Sequence, residues 1–316
     1  MKILLKFILV FVTGAALAQP YPNKAVRMMV AFPPGGPVDI IARLIAPKMS
    51  EILGQPVVVE NKVGASGNLA TSELAKAAPD GYTLLAHSSA YAVNPSLFAN
   101  AGYDPERDIL PVAVVAQQAN IVLVNAEFPA RTLDELRQQV QSRKLAFASP
   151  GTGTTPHLTA ENLFHTRWKA DITHVPFKGA GPAVAGLLGS QPPIGCMAGS
   201  GPMSNIKAGK LRALAVSSAK RLTQLPEVPT LNELGYLNME DYTWVGIFLP
   251  AGAPRDIAEK LNAAVLKGLE APDLKQRLDA LAFEPTAQPL AETAVYVRSE
   301  IAKWRQVVKD TGAKAD

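Results

Sequence analysis

The sequence predicts an α/β fold with mixed, mostly parallel sheets, and three observations support that prediction. Short apolar, β-branched runs alternate with helical patterns along the chain. The runs are nearly continuous in hydrophobicity, as expected for strands that are covered on both faces. The 316 residues, 48% of them hydrophobic, suffice for two domains of about 150 residues. Charged residues make up only 18% of the chain, which excludes intrinsic disorder.

The individual elements follow in order from these patterns. Seven runs are predicted as strands, namely residues 26–32, 57–60, 82–86, 112–115, 121–124, 145–148 and 214–216. Four segments with helical spacing lie between them, namely residues 39–53, 69–77, 133–140 and 158–165.

The C-terminal third contains two long helical patterns, which begin after Pro254 and near Leu290. These helices must cover a sheet that earlier sequence forms, most simply the N-terminal one. Residues 115–123 and 242–249 are the segments that could carry the chain between two lobes. The predicted lobes are residues 19–118 plus 247–316 for lobe 1 and residues 119–246 for lobe 2.

The N-terminus predicts export. Two lysines precede a short apolar run, and Ala16 and Ala18 fit the A-x-A cleavage pattern of a signal peptide. We therefore expect residues 1–18 to be removed, with cleavage before Gln19. A retained membrane anchor is the alternative, but the run is too short to span a membrane comfortably. The expected location is the periplasm, and the mature chain itself is not expected to be embedded in the membrane.

Charge and cysteine content narrow the class of partner. The formal net charge of +4 falls to +2 without the two lysines of residues 1–18, which gives no indication of nucleic-acid binding. Cys196 is the only cysteine, so the chain has no intramolecular disulfide, and we expect a buried, unpaired thiol. We expect a monomer.

The loop of residues 32–39, FPPGGPVD, is the first candidate site. Gly35 and Gly36 allow positive φ and close backbone approach, and Asp39 can pair with Arg43 one helical turn later. Free N–H groups at a helix N-terminus can bind an anion without a cationic side chain. The alternative is a tight turn with an N-cap and no ligand.

Two further loops show the same pattern of a strand, small residues and a helix. Residues 149–157, SPGTGTTPH, offer several hydroxyl groups, and residues 64–68, GASGN, contain Ser66. Ligands of open α/β sheets bind outside the carboxyl ends of the strands, where these loops fall. We therefore expect loops of the two lobes to face each other across a cleft.

Catalytic and metal-binding motifs are missing from the sequence. The four histidines form neither an HExxH pattern nor a Cys/His cluster, so no metal and no cofactor are expected. No serine lies in a G-x-S-x-G elbow. A hydrolase would need Ser149 or Ser66 bonded to a histidine that also contacts a carboxylate. The histidines are His87, His157, His165 and His174.

Taken in order, these motifs resemble the Bug family, the extracytoplasmic solute receptors of tripartite tricarboxylate transporters. The resemblance covers essentially the whole mature chain. Its motifs are FPPGG at 32–36, VEN at 59–61, GASGN at 64–68, PDGYTL at 79–84, SPGTG at 149–153, HVPFKG at 174–179, AGKLRALAV at 208–216 and PEVPT at 226–230.

This resemblance implies a type II periplasmic binding protein fold, in which two lobes close over a small ligand. It also implies that backbone N–H groups of the glycine loops hold a ligand carboxylate. The ligand-binding residues carried over by position are Phe32, Gly35, Gly36, Val38, Asp39, Ser66, Ser88, Ser89, Ser149, Thr152, Gly153, Thr154, His157, Phe177, Lys178 and Gly179.

The implied function is a non-enzymatic receptor that delivers a small carboxylate to the membrane subunits of a tripartite tricarboxylate-type transporter. The ligand could be an organic acid, a dicarboxylate, an aromatic acid or an amino acid. The alternatives are a sensor receptor for a signalling partner and a periplasmic serine hydrolase. The chain departs from the family pattern at Pro192-Pro193, and the segment near Cys196 does not identify the ligand.

Overall fold

The structure is a computed structural model and describes residues 20–286 and 288–315, so the predicted signal peptide and its cleavage site lie outside the described residues. The described strands are β1 (Val26–Val30), β2 (Val57–Asn61), β3 (Thr83–Ser88), β4 (Ile109–Asn125), β5 (Leu145–Ser149), β6 (Ile172–Pro176), β7 (Ile194–Ala198), β8 (Leu211–Val216), β9 (Tyr242–Pro250) and β10 (Glu284–Pro285).

The described α-helices are α1 (Pro37–Leu53), α2 (Asn68–Leu74), α3 (Ala90–Leu97), α4 (Leu133–Ser142), α5 (Thr155–Glu161), α6 (Ala180–Leu188), α7 (Met203–Lys207), α8 (Arg255–Leu269), α9 (Pro272–Ala280) and α10 (Leu290–Thr311). A 3₁₀ turn, Ala65–Gly67, precedes α2, and a π-helical segment, Asn162–Arg167, continues α5.

One mixed sheet joins these strands in the order β2-β1-β3-β9-β4-β7-β5-β6, with β8 and β10 also paired to β4. The pairs of β1 with β2 and β3, and of β5 with β6 and β7, are parallel. The pairs that include β4 or β9 are antiparallel. The α/β prediction is confirmed, and the parallel character is confined to the outer strands because the chain crosses between lobes on β4 and returns on β9.

Strand β4 belongs to both lobes. Its residues from Ile109 to Ala119 pair with β9, and those from Asn120 to Val124 pair with β7. The sequence predicts two separate strands here, but the polar residues between them continue the pairing with β9. Lobe 1 is the part of the sheet around β1–β3, and lobe 2 is the part around β5–β7. The exact boundaries at 118/119 and 246/247 stay a prediction.

The C-terminal helices cover the sheet of lobe 1, as the sequence predicts. Helix α8 packs beside α1 on one face and against β4, where Leu261 and Val265 are buried. Helix α10 packs beside α3 on the other face through Val297 and Trp304. Among the described helices, none combines the length and apolarity needed to cross a membrane. The carboxyl ends of β1, β3 and β5 are thereby left to form the cleft between the lobes.

Candidate functional site

Asp39 holds the loop between β1 and α1 in shape. The Gly35 N–H donates to Asp39 Oδ2 at 2.9 Å, while Arg43 Nε and Asn61 Nδ2 donate to Asp39 Oδ1 at 2.9 and 2.8 Å. Gly35 has a φ of +78°, a conformation that favours glycine. Because Asp39 is only 4% exposed and both carboxylate oxygens accept bonds from protein groups, its side chain serves the loop and not the cleft.

The first turn of α1 offers backbone donors. Gly36 is the N-cap residue, and Pro37, which has no N–H, occupies the first turn. The N–H groups of Val38 and Asp39 have no carbonyl partner within the helix, as is usual for a first turn. The positive end of the helix dipole adds to their attraction for a negative group.

The loop between β5 and α5 is supported from lobe 2. Ser149 Oγ accepts from the Gly151 N–H at 3.2 Å, and Thr154 Oγ1 donates to the Gly151 carbonyl at 2.8 Å. Gly153 has a φ of +81°, and a Cβ there would lie 2.7 Å from Asn94 Oδ1 of lobe 1. Glycine at this position therefore allows both the turn and the close approach of the two lobes.

A third loop, between β6 and α6, brings the lobes into contact. The Gly179 N–H donates to the Pro150 carbonyl at 2.8 Å, which ties this loop to the β5–α5 loop. Gly179 has a φ of +112°, and a Cβ there would lie 3.1 Å from Pro33 Cγ. Pro33 and Gly179 thus meet across the cleft and divide it into an inner cavity and an outer groove.

The inner cavity encloses about 540 Å³ of empty space, its mouth included. Its walls are mainly apolar, and the described residues that line it include no charged side chain. Hydroxyl groups supply the polar side chains, and the starts of α1, α5 and α6 converge on it. The lining residues are Phe32, Pro33, Pro34, Gly36, Pro37, Val38, Ser88, Pro150, Thr154, Thr155, Pro156, Gly179, Ala180, Gly181, Ala198 and Thr243.

The outer groove is larger, with about 1180 Å³ of empty space, its open side included. Lys178 is the single charged residue among the described residues that line it. The lining residues are Ala31, Phe32, Pro33, Val63, Gly64, Ala65, Ser66, Gly67, Phe98, Pro150, Gly151, Thr152, Pro176, Phe177, Lys178, Gly179 and Ala315.

The residues named from the sequence fall into three groups. Six of them line the inner cavity, namely Phe32, Gly36, Val38, Ser88, Thr154 and Gly179. The outer groove is lined by Ser66, Thr152, Phe177 and Lys178. Phe32 and Gly179 line both the groove and the inner cavity. Neither lining includes Gly35, Asp39, Ser89, Ser149, Gly153 or His157.

The sequence does not point to Thr243 as a cavity residue. Thr155, at the start of α5, lies in the 149–157 loop that the sequence singles out for its hydroxyl groups, and it lines the inner cavity. Thr243 lies on β9, far from any glycine loop in the sequence, and only the strand pairing brings it to the cavity.

Hydrogen bonds join the lobes around the cleft. Ser66 Oγ donates to the Thr152 carbonyl at 2.6 Å in the outer groove. Deeper in the cleft, the hydroxyls of Ser89 and Thr155 lie 3.1 Å apart, and those of Thr155 and Thr243 lie 2.7 Å apart. The lobes are therefore in contact on both sides of the inner cavity.

A buried polar cluster lies where the chain crosses between lobes. Asn120 Nδ2 and Thr159 Oγ1 each donate to the Asp241 carboxylate at 2.7 Å. Burial raises the pKa of Asp241 to about 6, although these hydrogen bonds favour its charged form. Asn120 lies in the first predicted crossing segment, 115–123, and Asp241 directly precedes the second, 242–249, so this cluster joins the two crossings to α5.

A serine hydrolase would need a histidine that bonds the serine and also contacts a carboxylate, and the histidine beside Ser149 lacks the second contact. Ser149 Oγ does lie 2.7 Å from His174 Nε2. However, the His174 ring stacks between Phe147 and His157, and its Nε2 is bonded to Ser149 and not to a carboxylate. Ser149 is also fully buried, and the Ser66 hydroxyl donates to a backbone carbonyl. Neither serine is therefore placed as a nucleophile.

Within the described residues, one side-chain group is close enough to share a metal ion. The ligand atoms of His157, Glu161 and His174 all lie within 4.8 Å of one another. The two imidazoles, however, stack with ring centroids 4.0 Å apart, and nearly parallel rings cannot both direct a lone pair at one ion. Their nitrogens also bond to Gly153, Glu161 and Ser149, so this geometry favours a hydrogen-bonded cluster over a metal site.

Two α/β lobes that meet over a cavity lined by helix starts define a solute-binding protein with the two-lobed periplasmic binding fold. The chain belongs to the TctC family, described as the tripartite tricarboxylate transporter family receptor, and the match covers residues 41–313. The resemblance to the Bug family is thereby confirmed.

Individual relatives agree with this assignment. The chain is 37% identical to the protein BugT of Bordetella pertussis over 98% of each chain. A Rhodopseudomonas palustris protein solved with adipate has a TM-score of 0.89 and 32% identity, over 93% of this chain and 100% of that one. MatC from Rhodopseudomonas palustris, solved with bound malate, has a TM-score of 0.86 and 34% identity, over 91% of this chain and 100% of that one.

Proposed function

We propose that this protein captures a small carboxylate in the inner cavity and delivers it to the membrane subunits of a tripartite tricarboxylate-type transporter. The observation that carries the proposal is the convergence of helix starts from both lobes on a cavity with no charged lining side chain. Backbone N–H groups at helix starts attract an anion, whereas they offer nothing to a cation.

The carboxylate is proposed to lie against the first turns of α1 and α6. The N–H groups of Val38, Ala180 and Gly181 lie in these first turns, where a helix has no internal partner for them. Ser88 Oγ accepts from the Ala90 N–H, so its own hydrogen remains for a ligand oxygen. Apolar walls leave room for the carbon chain of the ligand.

The ligand class is proposed to be an organic acid without an amino group. Neither cavity has an aspartate or glutamate among its described lining residues. Asp39, the one acid carried over as a ligand residue, is committed to Gly35, Arg43 and Asn61. An ammonium group would therefore face helix starts without a counter-charge. Malate and adipate, the molecules solved with two relatives, belong to this class.

The test is a thermal-shift and calorimetry screen with matched ligand pairs, such as succinate against aspartate, with sugars and phosphate included. We expect organic acids to stabilise the protein, by about 2.7 kcal/mol at a hundredfold excess over Kd. Aspartate should bind at least tenfold more weakly than succinate. Stabilisation by sugars or amines alone would overturn the proposed function, and equal binding of aspartate would overturn the ligand class.

Gly36→Asp tests the location of the anion site. Gly36 has a φ of −81°, and a Cβ would meet only the Pro33 carbonyl at 3.5 Å, so the fold should tolerate the change. The new carboxylate would repel the ligand at the start of α1, and binding should be lost. Gly189→Asp is the matched control, because Gly189 is exposed, has a φ of −84° and lies away from the cleft. Normal carboxylate binding by Gly36→Asp would show that the site is elsewhere.

The periplasmic location and the transporter partnership are part of the same proposal. Mass spectrometry of periplasmic material should find a mature chain that begins at Gln19. A sensor receptor would share this binding site and differ only in its membrane partner. Uptake of the identified acid by cells that lack the receptor separates the two roles, because only a transport receptor is needed for uptake.

A further inference from the structure

Two stacked imidazoles lie directly beneath the β5–α5 loop. The ring centroids of His157 and His174 are 4.0 Å apart, and Phe147 stacks on the other face of His174 at 4.9 Å. Each imidazole bonds one residue of the loop. His174 Nε2 lies 2.7 Å from Ser149 Oγ, and His157 Nδ1 accepts from the Gly153 N–H at 3.3 Å.

The hydrogen-bond partners of His157 define the role of each ring nitrogen. Its Nδ1 faces a donor, the Gly153 N–H, and must therefore carry no hydrogen. Its Nε2 lies 3.4 Å from Glu161 Oε1, an acceptor, and must therefore carry the hydrogen. His157 thus accepts from Gly153 through Nδ1 and faces Glu161 through Nε2, so a hydrogen on Nδ1 would break the bond to Gly153.

His165, in the same cluster, differs from His157 because both of its ring nitrogens face acceptors. Its two nitrogens face Glu161 Oε2 at 2.6 Å and the Ile172 carbonyl at 2.8 Å, both acceptors. The hydrogen bond to Glu161 raises the pKa of His165. Burial opposes the charged form of Glu161, but the hydrogen bonds from His157 and His165 outweigh it and lower its pKa to about 2. The ion pair of the cluster is therefore His165 with Glu161.

His174 is held neutral by its surroundings. Burial, and then the charge that a protonated neighbouring imidazole would bring, lower the pKa of His174 to about 3. The titratable groups that face the stacked pair are Glu161 and His165, from α5 and its π-helical continuation, with Asp171 acting on His165 from the segment before β6. Glu161 thus pairs with His165, and the pKa of the His174 ring is held low.

We propose that His157 and His174 are positioning residues, a stacked imidazole pair that sets the shape of the β5–α5 loop for ligand binding. The inference rests on the proposed function for its ligand. Neither histidine lines the inner cavity, so both would act through the loop. The family resemblance does not assign His174 to the site, and the proposal adds it.

The loop transmits this shape to the cavity through three backbone contacts. The Gly179 N–H donates to the Pro150 carbonyl at 2.8 Å, and the Phe177 N–H donates to the Ser149 carbonyl at 3.0 Å. The Thr154 N–H donates to the Gly151 carbonyl at 3.2 Å. A displaced loop would therefore move the starts of both α5 and α6, where Thr154 and Gly179 line the inner cavity.

Paired variants separate the hydrogen bonds from the packing. His157→Phe and His174→Phe keep a ring for stacking and lose the bonds to Gly153 and Ser149. His157→Asn places Oδ1 near the former Nδ1, and His174→Gln places a polar atom near the former Nε2, so these variants keep the bonds. We expect calorimetric Kd for succinate, or for the acid found in the screen, to rise about tenfold in the phenylalanine variants, since one lost hydrogen bond is worth roughly a factor of ten. The asparagine and glutamine variants should stay within about threefold of wild type.

NMR tests the same inference without a ligand. At pH 7 the imidazole ¹⁵N spectrum should show a neutral His174 and a His157 whose Nδ1 carries no hydrogen, as its bond from Gly153 requires. The Gly153 amide proton should shift upfield in His157→Phe and keep its position in His157→Asn.

The outcomes are distinguishable. Wild-type affinity in the phenylalanine variants, or equal loss of affinity in all four variants, would overturn the positioning role. A hydrogen on His157 Nδ1 would overturn it as well, because that nitrogen could then not accept from the Gly153 N–H. A wild-type protein that binds no carboxylate would refute the proposed function, and the NMR spectra would then decide the inference on loop shape alone.

Discussion

The two glycine loops that face each other across the cleft have the same sequence pattern but opposite supports. In lobe 1 a charged carboxylate holds the loop, because Asp39 accepts bonds from Gly35, Arg43 and Asn61. In lobe 2 two stacked imidazoles hold the loop through Ser149 and Gly153. Each support leaves the backbone donors of a helix start at the cavity.

The difference follows from access to water. The Arg43 side chain is 51% exposed, so the ion pair with Asp39 keeps part of its hydration. The imidazole pair packs against Phe147, which is fully buried, where a charged ring would be costly. The same anion-binding pattern can thus be supported by an ion pair near the surface and by stacked imidazoles in a less exposed position.

Removal of the lobe 1 support should have the largest effect on stability. Asp39→Ala leaves the Gly35 N–H without its acceptor and Asn61 Nδ2 with only the Phe32 carbonyl, and we expect a loss of about 2–4 kcal/mol in the free energy of unfolding. Urea unfolding measures this loss. Arg43→Gln is the control and should cost less than about 1 kcal/mol, because Arg43 is half exposed. Equal losses would mean that the ion pair, and not the loop, carries the stability.

The lobe 2 support should make stability depend on pH. The folded-state pKa of His174 is lowered to about 3, below the 6.5 of an unperturbed histidine, so the unfolded chain takes up the proton first as the pH falls. Stability is therefore lost between about pH 6.5 and 3, by at most about 1.4 kcal/mol per pH unit from this group.

His174→Phe should reduce that slope, and urea unfolding at pH 6 and pH 4.5 measures the change. A smaller slope should remain in the variant, because burial also lowers the pKa of His87, to about 4. Identical slopes in wild type and variant would show that His174 is not the group that resists protonation.

The contact between the two loop regions should have a smaller effect, and on ligand affinity. Ser66→Ala removes the hydrogen bond to the Thr152 carbonyl, which joins the lobes. Loss of about 1 kcal/mol from the closed state should weaken binding three- to tenfold in calorimetry. Ser72→Ala is the control, since Ser72 bonds to Ala101 within lobe 1. If both variants bind equally well, the interlobe bond does not contribute to closure.

Lys178 should have the smallest effect. It is exposed at the outer groove, where its charge is screened by solvent. Lys178→Ala should weaken a dicarboxylate such as adipate about twofold and leave a monocarboxylate unchanged, as measured by competition binding. A large loss for both would place the carboxylate in the outer groove and not in the inner cavity.

Local sequence was sufficient for elements whose signals are local. The predicted helix at 39–53 corresponds to α1 (Pro37–Leu53), since its apolar spacing, Pro37 and the glycine that follows mark both its face and its ends. By contrast, β6 and β7 were not predicted as strands. β6 mixes exposed and buried residues in ITHVP, and β7 is a short run behind two prolines, so neither shows a clear period.

The sequence by itself determined the alternation of strands and helices and the glycine loops at helix starts, because spacing and turn chemistry are properties of neighbouring residues. Tertiary structure decided which atoms those loops present. Asp39 turned away from the cleft, Thr243 entered it from β9, and His157 paired with His174 from another strand. These outcomes depend on contacts between residues far apart in the chain, and no local pattern records which distant side chain will satisfy a buried polar group.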